Sequence, residues 1–408
     1  MKQDRFGRYI VGLVLATVGA ILLVAGFNWF IDPYSVFGSP KINGVNALKP
    51  QVSAQPVLSK AYIVRRVKPN AIVLGTSRAD VGIDPEHYGW SYSPVYNLSL
   101  SGANIYDITR YFQHANAIQP LRQVVLMLDF FSFDVSSGYT RTTSFESSLS
   151  VSYNGHPQSG FNILDTVSLT TSFDAFTASV ETITHQTDDN TAHMENGMRK
   201  NIPLDSYGDY RESFMKNISG YLSNMYLPTK YDFTNPTPGM ETPFEYYRTI
   251  LRIAYQDDID LRMAISPSHA LQWETLEAVG LWTEFEYWKT MLVEINEDES
   301  LQAGVAAFPL WDFSGYSAYT TEPVPPWGDT SPMQGYWDSS HYKKVLGDLV
   351  LDCIFDDPSP DFGVLLTSDN IDSHLQNIRD DRQNYRNSHL SDIVEIEDLA
   401  KRLGVYKE

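Results

Sequence analysis

Cysteine is almost absent from this chain of 408 residues, because Cys353 stands alone and no disulfide can form within the chain. The nine histidines show no His-x-x-x-His spacing, and no Cys-x-x-Cys pair exists. No zinc-type ligand set is therefore predicted, and we expect no metal or other cofactor. Neither a phosphate-binding loop nor the Rossmann glycine pattern is present, which argues against a nucleotide-binding enzyme.

Basic residues are scarce relative to acidic ones. The chain has 30 Lys and Arg against 50 Asp and Glu, which gives a formal net charge of −20 and a pI near 4.8. Binding to nucleic acid depends on Lys and Arg that neutralise phosphates, so this composition argues against a nucleic-acid partner.

Only one apolar run is long enough to cross a bilayer. Tyr9–Ile31 contains 23 residues without a charge, and Lys2, Arg5 and Arg8 precede it. The positive-inside rule then predicts a cytoplasmic N-terminus, with the rest of the chain outside. A cleaved signal peptide is the alternative, for which Val24-Ala25-Gly26 is a partial cleavage site. A single thiol in an exported protein fits the bacterial periplasm.

Apolar runs alternate with helical patterns along most of the remaining chain. The predicted strands are Ala71–Leu74, Val95–Leu100, Val124–Leu128, Ile259–Ile265 and Val305–Trp311. The predicted helices are Ser59–Val67, Asn104–Ile118, Phe244–Tyr255, Leu271–Glu294 and Tyr342–Phe355. This alternation predicts an α/β fold with a doubly wound parallel sheet flanked by helices.

The composition suggests five segments. Residues 1–8 form the cytoplasmic N-terminus, 9–31 the transmembrane anchor, 32–57 an extended linker, 58–357 the main domain, and 358–408 a polar helical appendage. Within the main domain, residues 134–243 are rich in Ser, Thr, Asn and Gly and are predicted to be a large insertion. The insertion is either a lid or platform for substrate or a cap without a functional role.

Two short motifs carry residues that could perform chemistry. Gly75-Thr-Ser77-Arg78 follows the first strand, and Asp338-Ser-Ser-His341 lies far downstream. A serine hydroxyl becomes a nucleophile when a base lies within hydrogen-bond reach and a third group orients that base. Ser77, His341 and Asp338 are the predicted nucleophile, base and orienting acid.

This order of residues resembles the SGNH (GDSL-like) hydrolases and acyltransferases, in particular the membrane-anchored bacterial subset similar to DltD and the alginate O-acetylation proteins. The segment Asn97–Asn104 resembles the family's second block, which implies that the N–H of Gly102 joins that of Ser77 in an oxyanion hole. The third block lacks the family's asparagine, so Asn104 or the Arg78 side chain would supply the remaining donor.

Four further residues were predicted near the site. Arg78 adjoins the nucleophile, and Asp129, His269 and Asp312 follow predicted strands, where open α/β sheets bind ligands. All four are candidate substrate contacts. His269 could instead cap a helix, and Asp312 competes with Asp338 for the role of orienting acid.

The resemblance implies a bacterial inner-membrane protein with one transmembrane helix and a periplasmic catalytic domain. It would act as a serine esterase or O-acyltransferase on the acyl groups of a cell-envelope or exported polysaccharide, and acetyl is the favoured acyl group. A multi-pass membrane acyltransferase is the implied partner. The alternative hypotheses are a non-catalytic assembly factor that keeps the fold and a polysaccharide-binding module.

Overall fold

The structure is a computed structural model that describes residues 2–135, 143–152, 155–159, 163–187, 191–202, 208–227, 231–234, 240–355 and 361–407. In those residues the strands are β1 Ala71–Leu74, β2 Val95–Asn97, β3 Gln123–Leu128, β4 Asp260–Ile265, β5 Leu310–Asp312 and β6 Val364–Leu365. The helices are α1 Lys2–Ile31, α2 Pro56–Val67, α3 Ser77–Gly82, α4 Ile105–Ile118, α5 Thr143–Ser148, α6 Ile163–Thr171, α7 Phe173–Thr184, α8 Tyr210–Asn224, α9 Pro243–Gln256, α10 Ala270–Ala278, α11 Trp282–Ala303, α12 Lys344–Ile354, α13 Ile371–Ser388 and α14 Leu390–Leu403. Short 3₁₀ helices cover Pro50–Ala54 and Phe130–Phe133.

The chain divides into two compact units. The first contains residues 1–67 and 141–194, and the second contains residues 68–140 and 195–408. The first half of the predicted insertion therefore groups with the N-terminal segment. Its second half groups with the sheet, as does the C-terminal appendage.

The second unit is built on one sheet with the strand order β2-β1-β3-β4-β5-β6. The first five strands pair in parallel, and β6 pairs antiparallel with β5. Strands β1 and β3 are wholly buried, as expected for the centre of a parallel sheet with both faces covered. The predicted α/β class is confirmed, but the sheet is mixed, because the two-residue edge strand β6 carried too little pattern to be predicted.

Several predicted elements have different bounds in the structure, and among them are β2, β5 and the predicted helix Leu271–Glu294. Strand β2 ends at Asn97 rather than Leu100, because the Asn97 side chain donates to the carbonyls of Ala79 and Ile83 and accepts from the N–H of Ser99. Strand β5 covers Leu310–Asp312 rather than Val305–Trp311.

The third difference is a break in the predicted helix Leu271–Glu294, which forms α10 and α11. The break is at Gly280, whose φ is +73°. Its N–H donates to Glu277 O, and the next N–H, of Leu281, donates to Leu276 O. A glycine in this left-handed conformation commonly ends a helix.

In the first unit, α1 includes the predicted apolar run and is longer than predicted. Phe6–Ile31 has a mean hydropathy of 2.6 over its most apolar window, and it is the only helix in the described residues that is long and apolar enough to cross a membrane. Lys49 Nζ donates to Ile31 O at 2.6 Å, which satisfies one of the free carbonyls at the end of α1.

The segment after α1 is more ordered than the predicted extended linker. Asp32 adopts a positive φ of 51°, and its carboxylate accepts the N–H groups of Val36 and Gly38 at 2.8 and 2.9 Å. This turn ends α1, because the carboxylate gathers the following backbone into a compact loop.

Candidate functional site

The serine of the first motif lies at the carboxyl end of the sheet. Strand β1 ends at Leu74, and Thr76 caps α3 by accepting the N–H of Arg78 at 3.3 Å. Ser77 is the first residue of α3 and is half-buried. The strand order reverses between β1 and β3, which is where open α/β sheets bind ligands.

The acid and the histidine of the second motif share one tight loop. An antiparallel bridge joins Tyr336 to Tyr342, and the N–H of Trp337 donates to His341 O at 2.9 Å. Within this loop, Asp338 Oδ1 accepts the N–H groups of Ser340 and His341, both at 2.9 Å. These hydrogen bonds fix the carboxylate next to the imidazole.

The fold brings these residues together across 264 positions of sequence. His341 Nε2 lies 2.8 Å from Ser77 Oγ, and His341 Nδ1 lies 2.7 Å from Asp338 Oδ2. When Nδ1 carries the proton, it donates to the carboxylate, and Nε2 is free to accept the serine proton. Burial raises the pKa of Asp338, but the charge and hydrogen bonds of His341 and the N–H of Ser340 bring it below its usual value. Asp338 therefore stays ionised at neutral pH.

Two glycines let α3 and α12 touch along their backbones. A Cβ on Gly347 would lie 1.8 Å from Gly82 O, and one on Gly82 would lie 2.0 Å from the Tyr342 ring. Helix α3 carries Ser77, and α12 follows His341 closely. The spacing of the two side chains therefore depends on this backbone contact.

Gly347→Ala is expected to separate Ser77 from His341, because the added methyl group cannot fit beside Gly82 O. A misplacement of about 1 Å can lower a rate by about 10²-fold, and we expect a loss of that order for ester hydrolysis by a folded protein. Val345→Ala, at an exposed position of the same helix, is the matched control. Equal rates for both variants, with equal circular dichroism spectra, would contradict this role of the contact.

A cleft of about 380 Å³ opens in front of the serine. It is lined by Ser77, Gly102, Phe131, Lys216, Asn217, Gly220, Tyr221, Asn224, Met225 and His341. Gly102 has a φ of +65°, and a Cβ there would meet open space, so its backbone conformation is what favours glycine. The predicted oxyanion donors Ser77 and Gly102 thus line the same cleft.

Asn104, the other predicted donor, caps a helix. Its Oδ1 accepts the N–H of Asp107 at 2.9 Å, and Asp107 Oδ2 accepts the N–H of Asn104 at 3.3 Å, which forms a capping box for α4. Asn104 is not among the residues that line the cleft. Its side-chain oxygen is used in starting the helix.

Helix α8 supplies five of the ten residues that line the cleft, and none of the five was predicted to lie in the site. Asn217 Oδ1 accepts the hydroxyl of Ser339 at 2.8 Å, which connects α8 to the loop that holds Asp338 and His341. This helix lies within the predicted insertion, for which a lid or platform for substrate was one of the two predictions. A polar residue facing the motif could be found only after the fold was known.

Arg78 and Asp129 form a buried ion pair next to the turn that carries Ser77. Arg78 Nη1 donates to Asp129 Oδ1 at 2.7 Å, Arg78 Nη2 donates to the Tyr221 hydroxyl at 3.0 Å, and the Thr76 hydroxyl donates to Asp129 Oδ2 at 2.5 Å. Their side chains are 1% and 0% exposed. Both groups, which were predicted to contact substrate, are enclosed and bind each other, and neither is among the residues that line the cleft. They position the turn that carries Ser77.

Asp129→Asn is expected to lower the free energy of unfolding by about 3–5 kcal/mol, because it leaves the Arg78 charge buried without its counter-charge. Urea denaturation of the full chain in detergent measures the loss. Asp329→Asn, at an exposed position, is the matched control and should change stability little. If Asp129→Asn were as stable as the control, the ion pair would not support the turn.

His269, another predicted substrate contact, has a structural role. Its Nδ1 accepts the N–H of Leu271 at 3.2 Å as the cap of α10, and Nε2 lies 2.7 Å from Glu322 O. Burial lowers the pKa of His269 to about 4, so the ring is neutral at pH 7. Its backbone N–H donates to Ser339 O at 3.0 Å, which supports the loop of Asp338 and His341.

Asp312 does not lie beside His341. Its Oδ2 accepts Lys289 Nζ at 2.7 Å and lies 2.9 Å from His374 Nε2. Burial raises the pKa of Asp312, but Lys289 and His374 together hold it well below the usual value. The carboxylate thereby links β5 to α11 and to α13 of the appendage, and Asp338 is the acid that contacts the imidazole.

A scan against protein-family models found no match for this chain, and a search of curated proteins found none either. Across the part of the chain that the structure describes, no group of three or more His, Cys, Asp or Glu side chains could hold a metal ion.

Proposed function

We propose that this protein is a membrane-anchored serine esterase or O-acyltransferase of the SGNH (GDSL-like) class. It would transfer acyl groups to or from a cell-envelope or exported polysaccharide through an acyl-serine intermediate, and acetyl is the favoured acyl group. The observation that carries the proposal is the hydrogen-bonded series of Ser77, His341 and Asp338, with distances of 2.8 and 2.7 Å.

The surrounding fold also supports the proposal. The order β2-β1-β3-β4-β5 is one of the common doubly wound arrangements. Ser77 follows β1 at the switch point of that order, and its hydroxyl faces a cleft. A nucleophile on a tight strand-to-helix turn, with its base on a distant loop, is the arrangement that acyl transfer needs.

The first half-reaction forms the acyl-serine. His341 Nε2 takes the Ser77 proton as Oγ attacks the acyl carbonyl carbon, and the N–H groups of Ser77 and Gly102 stabilise the resulting oxyanion. Asp338 stabilises the imidazolium. The oxyanion then collapses, and the leaving alkoxide takes the proton from His341.

The second half-reaction decides whether the protein acts as an esterase or as a transferase. Water attacks the acyl-serine in an esterase, and a sugar hydroxyl attacks it in a transferase, with His341 again taking the proton. Lys216, Asn217 and Asn224 bring polar side chains to the cleft, and Phe131 and Tyr221 bring aromatic rings. Such a lining suits a hydroxyl-rich acceptor, which favours the transferase.

The proposed location is the bacterial inner membrane, with the catalytic unit in the periplasm. Lys2, Arg5 and Arg8 precede the apolar part of α1, which favours a cytoplasmic N-terminus. A multi-pass acyltransferase that delivers the acyl group across the membrane is the proposed partner.

A serine-directed fluorophosphonate probe tests the proposed chemistry on the full chain in detergent. We expect one adduct, mapped to Ser77 by mass spectrometry of peptides, which is absent from Ser77→Ala and strongly slowed in His341→Ala. Ser331→Ala, at an exposed position, is the control and should react like the wild type. An adduct that persists in Ser77→Ala, or no adduct on a folded wild-type chain, would contradict the proposal.

A further inference from the structure

Helices α6 and α7 leave a broad apolar face uncovered. Their exposed large apolar side chains are Ile163, Leu164, Val167, Phe173, Phe176 and Val180. In α7 the residues at the opposite positions, Ala175, Ala178, Ser179 and Thr182, are buried. The apolar face is therefore one side of an ordered helix pair rather than an unfolded segment. An apolar face of this kind marks an interaction surface.

The same two helices lie against α1. Asn28, which is fully buried, donates from Nδ2 to Thr170 O at 2.8 Å and accepts the hydroxyl of Ser179 at 2.9 Å. The Phe27 and Phe176 rings have centroids 5.6 Å apart. A polar side chain within an apolar helix is thus satisfied by α6 and α7, which fixes the pair to α1.

The contact involves one side of the last two turns of α1. Val24, Ala25 and Phe27 are partly covered, and Asn28 and Ile31 are buried. On the other side, Leu22 and Leu23 are exposed by 65% and 77%. The exposed apolar side chains of α6 and α7 therefore belong to helices that pack directly on the exposed apolar helix α1.

The length of α1 sets the depth of this contact. The uncharged part of α1, Tyr9–Ile31, has 23 residues and spans about 35 Å, whereas the hydrocarbon core of a bilayer is about 30 Å thick. With Arg8 at the headgroups of one side, the last turn of α1 would therefore reach the headgroups of the other side. Helices that pack on that end of α1 would lie at the boundary between headgroups and acyl chains.

The charged residues of α6 and α7 also fit a position at the boundary between headgroups and acyl chains. Residues 163–184 contain no Lys, Arg or His, and their carboxylates are Asp165, Asp174 and Glu181. Glu181 accepts from the Gln51 amide at 2.8 Å, within the segment that follows α1. Carboxylates are tolerated among headgroups but not in hydrocarbon, so the pair fits a position in the interface rather than a second membrane crossing.

We propose that α6 and α7 form an interfacial membrane-binding hairpin, whose apolar face enters the acyl region of the bilayer that α1 spans. The hairpin depends on α1 spanning a membrane and not on the proposed chemistry of Ser77. Its apolar burial would hold the first unit against the lipid surface in addition to the single helix.

Nitroxide labels on single cysteines test the hairpin in the full chain. Leu164→Cys, Phe173→Cys and Val180→Cys are made in a Cys353→Ala background, and the protein is reconstituted into phosphatidylcholine vesicles. Leu22→Cys on α1 is the reference for lipid. Leu301→Cys is the matched control, because this leucine of the second unit is 79% exposed, against 74% for Leu164.

Collisions with oxygen, which concentrates in lipid, are compared with those of a water-soluble nickel complex. We expect the labels at the three hairpin positions, like the label at Leu22, to collide more often with oxygen than with the nickel complex. At Leu301 we expect more collisions with the nickel complex. Dominance of the nickel complex at the hairpin would place this face in water and overturn the proposal. Low collision rates for both reagents would show that protein covers the face, such as a second copy, and would overturn it equally.

Discussion

Ser77→Ala and His341→Ala are each expected to lower hydrolysis of p-nitrophenyl acetate by about 10⁴-fold or more in the full chain. In the proposed mechanism the serine supplies the attacking oxygen, and the imidazole, whose Nε2 lies 2.8 Å from Ser77 Oγ, accepts its proton. Because the two groups act in one step, the double variant should be hardly slower than either single variant. Stopped-flow release of p-nitrophenol measures all three rates.

The control for this prediction is Ser99→Ala, a buried serine near the sheet that lies outside the cleft. It should keep most of the wild-type rate. Hydrolysis by Ser77→Ala at the wild-type rate would contradict the proposed role of Ser77 as the nucleophile. A folded wild-type chain with no turnover would favour the hypothesis of a non-catalytic assembly factor, unless the partner protein restores the rate.

Asp338→Asn should lower the same rate by about 10³–10⁴-fold with little change in fold. The carboxylate accepts the Nδ1 proton of His341 and so directs the unprotonated Nε2 towards Ser77. An asparagine amide can donate to Nδ1 instead, which would place the proton on Nε2 and leave no acceptor for the serine hydroxyl. A ¹⁵N spectrum of the histidine ring would detect the exchanged tautomer.

Ser340→Ala is the comparison for this variant. It removes a hydroxyl that lies 3.2 Å from Asp338 Oδ1 and 3.1 Å from His341 Nδ1, but it keeps the carboxylate. We expect less than about a tenfold loss, since a neutral hydrogen bond contributes about 1 kcal/mol. If the hydrolysis rate fell as far in Ser340→Ala as in Asp338→Asn, the loss in Asp338→Asn would be explained by a weakened loop and not by the exchanged tautomer of His341.

The sequence predicts those parts of the structure that are marked by a pattern of neighbouring residues. Ala71–Leu74 and Val124–Leu128 are continuous apolar runs, and the strands predicted from them match β1 and β3 within one residue. Ser77 and His341 stand in short motifs that follow or precede regular elements. Both features depend on neighbours in sequence, which is why composition and spacing reveal them.

The parts that sequence did not predict depend on distant residues. Nothing near Arg78 shows that Asp129 will enclose it, so a buried ion pair was predicted to be a substrate contact. Likewise, Asn217 reaches Ser339 from 122 positions away. The break at Gly280 had a local signal, but the apolar pattern on both sides favoured one continuous helix.

The contact of Gly82 with Gly347 has a consequence for how such a chain can vary. The two backbones meet directly, so the spacing of Ser77 and His341 depends on glycine at both positions and not on the fit of larger side chains. Residues of α8 that line the cleft, such as Lys216 and Asn224, can then be replaced without altering that backbone contact. In the proposed reaction, the part of the cleft that would bind the acyl acceptor can therefore change while Ser77 and His341 stay at a fixed distance.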